Sequence, residues 1–497
     1  MDRSSLKIKT IVGLEIHVQL TTRTKLFCGC PVEFGAPPNT HVCPVCLGHP
    51  GVLPVLNRRA LEYAIRAGLA LSCSIADFTK WDRKGYYYPD LPKNYQISQY
   101  DLPLATEGTF EFPMGPELPE LNRVRIRRAH LEEDAGKNLH DLPECTLVDL
   151  NRAGTPLLEI VTEPDIHSAQ EAYAFCTELQ RLMVYIGVSE GVMQKGQMRF
   201  EPNVNVAIEF DGKEYRTPIA EVKNLNSFRA VRGAIAYEEE RQIQAWLADN
   251  DYQLGRRPNE NRGWLDEKNI TEFQRIKEEA QDYRYFPDPD LVPVLINEAM
   301  LEDIRRSLPE LPITRRRRLK EQLGLSPKDA ATIVSDRATA DLFDQVIAAG
   351  APPDFAARQF VNIWLKLANE RKVAVAELGV TPDRLAGLAS IVQSGSVSKT
   401  AADRIAGAML EHSESPERLA KEMNLLQIQD RELTAAWVDQ VFAAQQAAVK
   451  EAQTNPRKSK AIAGFLRGQV MKLSEGKADP TFVGRLIDER LMDEQGR

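Results

Sequence analysis

The residue types best able to do chemistry in this 497-residue chain fall in a few short segments. Glu15 and His17 lie two positions apart in VGLEIHVQL (12–20), where Val12, Leu14, Ile16, Val18 and Leu20 alternate with Gly13, Glu15, His17 and Gln19. Alternation with period two predicts a strand with one buried and one polar face. Glu15 and His17 then leave the polar face about 6.5 to 7 Å apart at the backbone and can converge on one ion. A Glu and a His in such positions are also commonly just solvated, and it is the other acidic segments that shift the weight toward a site. In HLEEDAGK (130–137), Glu132, Glu133 and Asp134 repel one another, which a cation or a basic neighbour relieves. Arg123, Arg125, Arg127 and Arg128 precede them, and a charged surface turn with these arginines as counter-ions is the other reading of the same residues. Glu159 is a lone carboxylate in the apolar run PLLEIV (156–161), where a charge needs a partner. Pooled carboxylates with one imidazole suit Mg²⁺, a hard ion that prefers oxygen and borrows ligands from substrate phosphates.

A second constellation is made of thiols. Cys28-Gly29-Cys30 and Cys43-Pro44-Val45-Cys46 form a CxC and a CxxC pair separated by a loop, a pattern suited to tetrahedral zinc in a reducing compartment. Buried or redox cysteines that happen to be neighbours are the alternative. His41 and His49 flank the second pair, but four thiolates already close the shell, so the expected role is structural: pinning the segment that follows the first strand. The other three of the seven cysteines are scattered, and no disulfide framework is expected.

The elements that must hold these groups can be read from pattern and composition. At this length two to three domains are expected. Residues 1–294 carry the period-two runs and aromatic-Pro-Gly punctuation of a strand-rich α+β domain. Inside it, Ser168 and Glu171 read as a capping box, Ala172, Phe175, Cys176, Leu179, Leu182, Met183 and Ile186 follow at helical spacing, and Gly187 ends the helix. From about Leu295 onward the texture becomes Ala, Leu, Arg, Glu and Lys with short breaks such as GLSPKD (324–329), which predicts an all-α remainder. HSESPE (412–417) divides it into 295–410 and 411–497. Hydrophobic residues are 43% and charged residues 27%, with a mean hydropathy of -0.36 and no apolar run of about 18 residues, so no membrane class is expected. MDRSSLKIKT lacks an apolar signal region, which makes the cytoplasm the default. A net charge of -8 argues against holding nucleic acid by bulk electrostatics while allowing local basic faces.

Taken in order, these segments resemble the B-subunit family of tRNA-dependent amidotransferases over nearly the whole chain. The match runs through GLEIHVQ (13–19), the cysteine box, RKGYYYPDLPK (83–93), YQISQ (95–99), HLEEDAGK, NRAG (151–154), EIVTEP (159–164), KNLNSF (223–228), DYRYFPDPD (282–290), GFL (464–466) and GQVMK (468–472). The resemblance implies a cradle-shaped catalytic domain, a helical domain and a small tail domain like the stand-alone YqeY proteins. It implies that Glu or Asp wrongly attached to tRNA(Gln) or tRNA(Asn) is phosphorylated by ATP on its side-chain carboxylate and then amidated by ammonia. It places Glu15, His17, Glu132, Glu133 and Glu159 at the site, with Glu15, His17 and Glu133 as candidate Mg²⁺ ligands, and it puts Lys84, Tyr87 and Lys93 along the route of ammonia. The implied partners are the amidase A-subunit, which is the glutaminase and ammonia source, a small C-subunit, and the misacylated tRNA.

Nothing in the sequence reads as an ammonia source. Ser396-Val397-Ser398-Lys399 is the formal SxxK motif, but its companion motifs are missing and a helix cap is the better reading. There is no GxxxxGK[ST] phosphate loop, so nucleotide binding must use another scaffold. Two basic stretches could meet phosphate: Arg315 to Arg318, and Arg457, Lys458, Lys460, Arg467 and Lys472 in the tail, where the resemblance implies tRNA. The chain departs from the family pattern at Phe200 to Asn205 and Thr271 to Gln274, where local contacts of the cradle are expected to differ. The rival reading is a tRNA-binding adaptor without catalysis.

Overall fold

The computed structural model describes residues 6–115, 121–142, 144–277, 283–427 and 430–493. Asp282, which opens DYRYFPDPD, and residues 278–280 lie outside the described residues. The chain forms two compact units, Met1–Arg315 and Arg316–Arg497.

The first unit is organised by a ten-stranded sheet among its described residues. From edge to edge it runs β15 (Ile270–Ile276), β14 (Glu260–Leu265), β13 (Ala220–Lys223), β11 (Met198–Phe210), β1 (Lys7–Gln19), β10 (Pro156–Thr162), β7 (Leu121–Glu133), β6 (Ala105–Pro113) and β2 (Ser74–Ile75), with β12 (Lys213–Arg216) beside β11. β13 and β14 pair in parallel; the other pairs in this sheet are antiparallel. Smaller pairings surround it: β16 (Phe286–Pro287) with β4 (Asp82–Gly85) and β5 (Tyr95–Ser98), β3 (Phe78–Thr79) with β17 (Val294–Leu295), and the hairpin of β8 (Lys137–Leu142) and β9 (Cys145–Asp149).

β1 is where the period-two pattern predicts a strand, and it sits centrally because its apolar row has a core to face. Val12, Leu14, Ile16, Val18 and Leu20 are buried while Glu15, His17 and Gln19 stay half-buried on the other side. The apolar row joins residues of three helices, α1 (Arg58–Ala70), α2 (Ala169–Tyr185) and α3 (Phe228–Ala248), in one core cluster. With the helices on one face, the polar rows of the strands lie on the opposite one.

α2 starts and stops close to expectation, with one difference. Ser168 Oγ accepts from the Glu171 N–H (3.1 Å), but the Glu171 carboxylate accepts from the His167 N–H (2.8 Å). Asn122 of β7 donates to its other oxygen (2.9 Å), which draws the carboxylate one residue past the N-cap. Gly187, at φ +71°, closes the helix in a Schellman motif, its N–H bonded to Val184 O and the Val188 N–H to Met183 O. Cys176 lies wholly in the core, as the helical spacing requires. Ser168→Ala is expected to lower stability by about 1 kcal/mol, read from the midpoint of urea unfolding with an unchanged m-value.

The second unit is built of helices. Ser326 caps the helix Pro327–Ile333 by accepting from the Asp329 N–H, and Ser398 caps Lys399–Ala408 by accepting from the Ala401 N–H (3.1 Å each), so the formal SxxK motif is a helix start. Val438, Val441, Leu466, Val470, Val483 and Ile487 form a separate apolar cluster near its end. Among the described residues, no helix is long and apolar enough to cross a membrane.

Candidate active site

The register of the central strands aligns the polar residues in rows. His17 pairs across with Glu159 on β10 and Arg199 on β11, and Glu159 pairs with His130 on β7. Glu132 follows His130 on the same face of β7 and reaches the same point. His17 Nε2 stands 3.4 Å from Glu132 Oε1 and 3.8 Å from Glu159 Oε2, while His130 Nε2 stands 3.5 Å from Glu159 Oε2. One ligand atom from each of His17, Glu132 and Glu159 lies within 4.8 Å of the others. Glu132 Oε2, His17 Nδ1 and His130 Nδ1 are buried with no hydrogen-bond partner. Open buried atoms of one carboxylate and two imidazoles, with the Glu159 carboxylate beside them, fit a hard divalent cation.

The electrostatics of this cluster agree. Burial, reinforced by the Glu159 charge, pushes the Glu132 carboxyl up to about 7. Glu159 goes the other way, to about 2: burial opposes ionisation but is outweighed by the facing His130, His17, Lys84 and Arg128. Burial takes His130 down to about 3, which leaves it neutral at ordinary pH and hands the effect on Glu159 to Lys84 and Arg128. Burial likewise works against the Lys84 ammonium, yet the Glu132 and Glu159 charges hold its pKa above the usual value. Two carboxylates forced together, one raised and one lowered, are what a bound cation would relieve.

Above this floor opens a cleft of about 1460 Å³ whose lining includes Lys84, Tyr86, Tyr283 and Tyr285. Lys84 Nζ lies 4.8 Å from the Tyr283 ring centre, and Tyr285 stacks on Tyr100 at 4.0 Å. Tyr87 is at its rim and largely exposed.

Glu15 and Glu133 stand outside the three-residue cluster. Glu15 shares the polar face of β1, but its Oε1 accepts from Asn203 Nδ2 (3.0 Å) and faces Lys277 Nζ (3.5 Å). Lys277 also pairs with Glu221 (2.9 Å), and Lys223 bridges Glu221 and Glu201 (2.6 Å each). Glu133 points to the opposite side of β7, as alternation demands of a neighbour of Glu132. There Lys93 Nζ and the Ile97 N–H (3.2 Å) donate to its carboxylate. Asp134 binds Arg199 (2.5 Å) and lies 3.5 Å from Arg152; those cations outweigh burial and lower its pKa.

Several of these partners were open to the same reading that found β1. On β11, Arg199, Glu201 and Asn203 alternate with buried Met198, Phe200 and Val204, so they had to share a polar row. Phe200, one of the departures, packs in the core against Phe228 (5.6 Å), whereas Glu201 and Asn203 touch the site through Lys223 and Glu15. Thr271 is buried and bonded to Glu238 and Arg262, a structural role. Lys277 carried no local signal.

The four cysteines converge as their spacing predicts, one sulfur from each lying within 4.8 Å of the others. Cys43 Sγ and Cys46 Sγ are 3.9 Å apart, close to the edge of a tetrahedron with Zn–S bonds of about 2.3 Å. The Cys43 N–H donates to Cys46 Sγ (3.2 Å), and the buried Lys25 ammonium lies 3.5 Å from it. The donor set fits zinc. Gly154, at φ +84°, lies where this knuckle meets Glu133: a Cβ there would sit 3.6 Å from Cys46, Lys25 and Glu133 alike. Beside it a cavity of about 200 Å³ is lined by Cys28, Cys46, Lys93 and Glu133 among others, and Lys93 lines the large cleft as well.

In the second unit Lys458, Lys460, Arg467 and Lys472 are exposed on the helix Pro456–Leu473, with Lys458 paired to Glu451 (2.7 Å). The Arg457 side chain lies outside the described residues. Arg315 donates to Tyr185 Oη (2.7 Å) and Arg318 binds Asp344 (2.7 Å), so two members of that basic run have partners within the chain.

Comparison with known proteins defines the class first: residues 10–302 match the GatB/GatE catalytic domain and residues 341–491 the GatB domain. The chain is 46% identical to the B-subunit of the aspartyl/glutamyl-tRNA(Asn/Gln) amidotransferase of Thermomicrobium roseum, across 98% of this chain and 99% of that one. The B-subunit of the same enzyme from Thermoanaerobacter sp. is 44% identical over 98% and 100%, and that from Thermosynechococcus vestitus 42% over 99% and 98%. The chain belongs to the B-subunit family of the aspartyl/glutamyl-tRNA(Asn/Gln) amidotransferases.

Proposed function

We propose that this chain is the carboxylate-activating component of a tRNA-dependent amidotransferase, an ATP-dependent carbon–nitrogen ligase of the cytoplasm. A side-chain carboxylate oxygen of Glu on tRNA(Gln), or of Asp on tRNA(Asn), attacks the γ-phosphorus of ATP and ADP departs. Ammonia then attacks the acyl phosphate carbonyl, phosphate leaves carrying the proton ammonia gives up, and the amide remains. A carboxylate needs this step because its oxygen is a poor leaving group until phosphorylated.

The observation that carries the reading is the convergence of His17, Glu132 and Glu159, with open buried atoms on His17 and Glu132, on the floor of the large cleft. These three would hold Mg²⁺, with Glu15 close by on the same strand face. Such an ion supplies charge neutralisation to a transferring phosphoryl group. Lys84, kept protonated by the same carboxylates, adds a fixed positive charge for phosphoryl oxygens. Tyr86, Tyr283 and Tyr285 line the cleft around Lys84.

Ammonia from an amidase partner would pass the small cavity and the Lys93–Glu133 pair, which Lys93 joins to the cleft. Lys84 and Tyr87 lie further along that path. Lys93→Ala is therefore expected to cut glutamine-supported product about tenfold while ammonium-supported product stays within about twofold, since only delivery is disturbed. The zinc knuckle is a structural clamp, Lys458, Lys460, Arg467 and Lys472 of the helix Pro456–Leu473 are a tRNA contact, and residues 295–410 and 411–497 are the helical and tail domains. A small C-subunit completes the complex.

The test is formation of Gln-tRNA from Glu-tRNA(Gln), and Asn-tRNA from Asp-tRNA(Asn), by the complex with ATP, Mg²⁺ and ammonium. Product from at least one substrate supports the reading. No product from either leaves an adaptor that presents tRNA without activating it.

A further inference from the structure

The row of paired residues that builds the carboxylate cluster does not stop at His17. His130, Glu159 and His17 follow one another across β7, β10 and β1, and the register carries the row one strand further, to Arg199 on β11. Side chains paired in this way leave the same face of a sheet, with Cβ atoms about 4.5 to 5.5 Å apart. Arg199 accordingly lines the large cleft beside His17, its side chain 31% exposed. One arm of its guanidinium is held, Nη2 donating to Asp134 Oδ2 (2.5 Å). Its Nε is buried and, among the described residues, has no hydrogen-bond partner. Asp134 is itself fixed: its N–H donates to Thr155 O (2.8 Å), its carbonyl accepts from the Gly154 N–H (2.9 Å), and Arg152 Nε lies 3.5 Å from the same Oδ2. Two guanidiniums thus share one carboxylate, and the trio keeps one positive charge. Burial works against the charge on Arg199, but Asp134, with Glu201 and Glu132 behind it, outweighs burial and keeps the group protonated.

We propose that Arg199 is a further catalytic residue, its guanidinium donating to an oxygen of the phosphoryl group in transit from ATP to the substrate carboxylate, an inference that rests on the amidation reading above. A buried N–H left open is costly unless a ligand accepts from it. The acceptor that suits a fixed, planar, charged fork is an anionic oxygen of a carboxylate or phosphate. Placement selects the phosphoryl group. Lys84 acts on Glu132 of β7 and Glu159 of β10, while Arg199 stands on the other side of His17. The cluster therefore has a cation on either hand, where a phosphoryl group crossing between two oxygens spreads negative charge over its equatorial oxygens. Arg199 gives up no proton in the step: the bond from phosphorus to the carboxylate oxygen forms as the bond to ADP breaks, and the guanidinium supplies a hydrogen bond and a charge. A purely structural pair with Asp134 uses only the arm that Asp134 already holds.

The test uses the complex of this chain with its amidase partner, ATP and Mg²⁺, and follows single-turnover amidation of tRNA from ammonium, with melting temperature measured alongside. At saturating ATP, Arg199→Ala should lose about 10²- to 10³-fold in rate. Added guanidinium ion should restore about tenfold or more of that loss and leave wild type unchanged, a rescue that requires the missing group to act in the reaction. Arg199→Lys keeps a charge for Asp134 without the fork and carries the test should Arg199→Ala unfold; it should melt like wild type and be slower by about tenfold or more. Arg123→Ala breaks an exposed ion pair with Glu111 on β7 and should match wild type. A rate for either Arg199 variant within about threefold of wild type overturns the proposal. So does a loss that more ATP fully restores, or one that guanidinium leaves untouched in a folded Arg199→Ala protein. Wild-type amidation from ammonium judges the reaction and the Arg199 variants judge the residue, so the two can fail separately.

Discussion

Glu159→Gln should reduce ATP-dependent amidation about 10²- to 10³-fold, the cost of removing one charged group aimed at a phosphoryl-transfer transition state. The substitution keeps the shape of the side chain and its place in β10, between buried Leu158 and Ile160, so the sheet is not disturbed. What it removes is the ionised carboxylate that lies 3.8 Å from His17 Nε2 and 3.5 Å from His130 Nε2. Glu132 alone, with His17, then offers one carboxylate where the cleft floor had two, and affinity for a divalent cation falls with ligand charge. Because the substitution leaves the basic residues of the helix Pro456–Leu473 unchanged, tRNA affinity should change less than about twofold. The measurement is single-turnover formation of amidated tRNA with ammonium as nitrogen source, run beside tRNA binding and zinc content. A rate within threefold of wild type would sink the assignment of the cluster to the reaction. His17→Ala should behave alike, whereas Glu15→Gln should lose less, since Asn203 and Lys277 already engage that carboxylate.

Loss of the thiolate knuckle should be the largest single blow to stability. Cys43→Ser is expected to abolish binding of one zinc per chain and to lower stability by several kcal/mol, since binding to a site that exists only when folded is itself folding free energy. The segment between β1 and α1 has few apolar anchors, chiefly Leu26 and Phe27, and the Phe27 ring meets Trp81 edge-on at 5.0 Å. Four thiolates must do what a larger core would do elsewhere. Lys25 sharpens the effect. Wholly buried, its ammonium is 3.5 Å from Cys46 Sγ and 3.4 Å from Leu150 O, and it depends on the thiolate charge that a bound metal would organise. Zinc analysis and thermal unfolding with and without chelator check this: a wild type free of zinc, or a Cys43→Ser variant with an unchanged melting temperature, would refute a structural metal.

Strand β1 and helix α2 were legible in the sequence because local periodicity and caps suffice to specify them. The same is true of the cysteine box: CxC and CxxC spacing already brings each pair into reach, and one loop closure joins them. The family could be read from ordered motifs along the whole chain, and the all-helical second unit from composition. The sequence by itself thus determined which face of β1 is polar, which residues are acidic, and where thiols gather. Only the tertiary structure decided which acids meet. Glu132 and Glu133 are adjacent in sequence and alike in chemistry, yet alternation sends one to the cleft and the other to Lys93, and no local rule says which face of β7 is which. Glu159 joins Glu132 only through a β10–β7 register, and Lys277 finds Glu15 from beyond β15. Register is set by the burial of whole apolar faces across the sheet, a property of many strands at once. It is this collective choice that turns scattered carboxylates and an imidazole into one site.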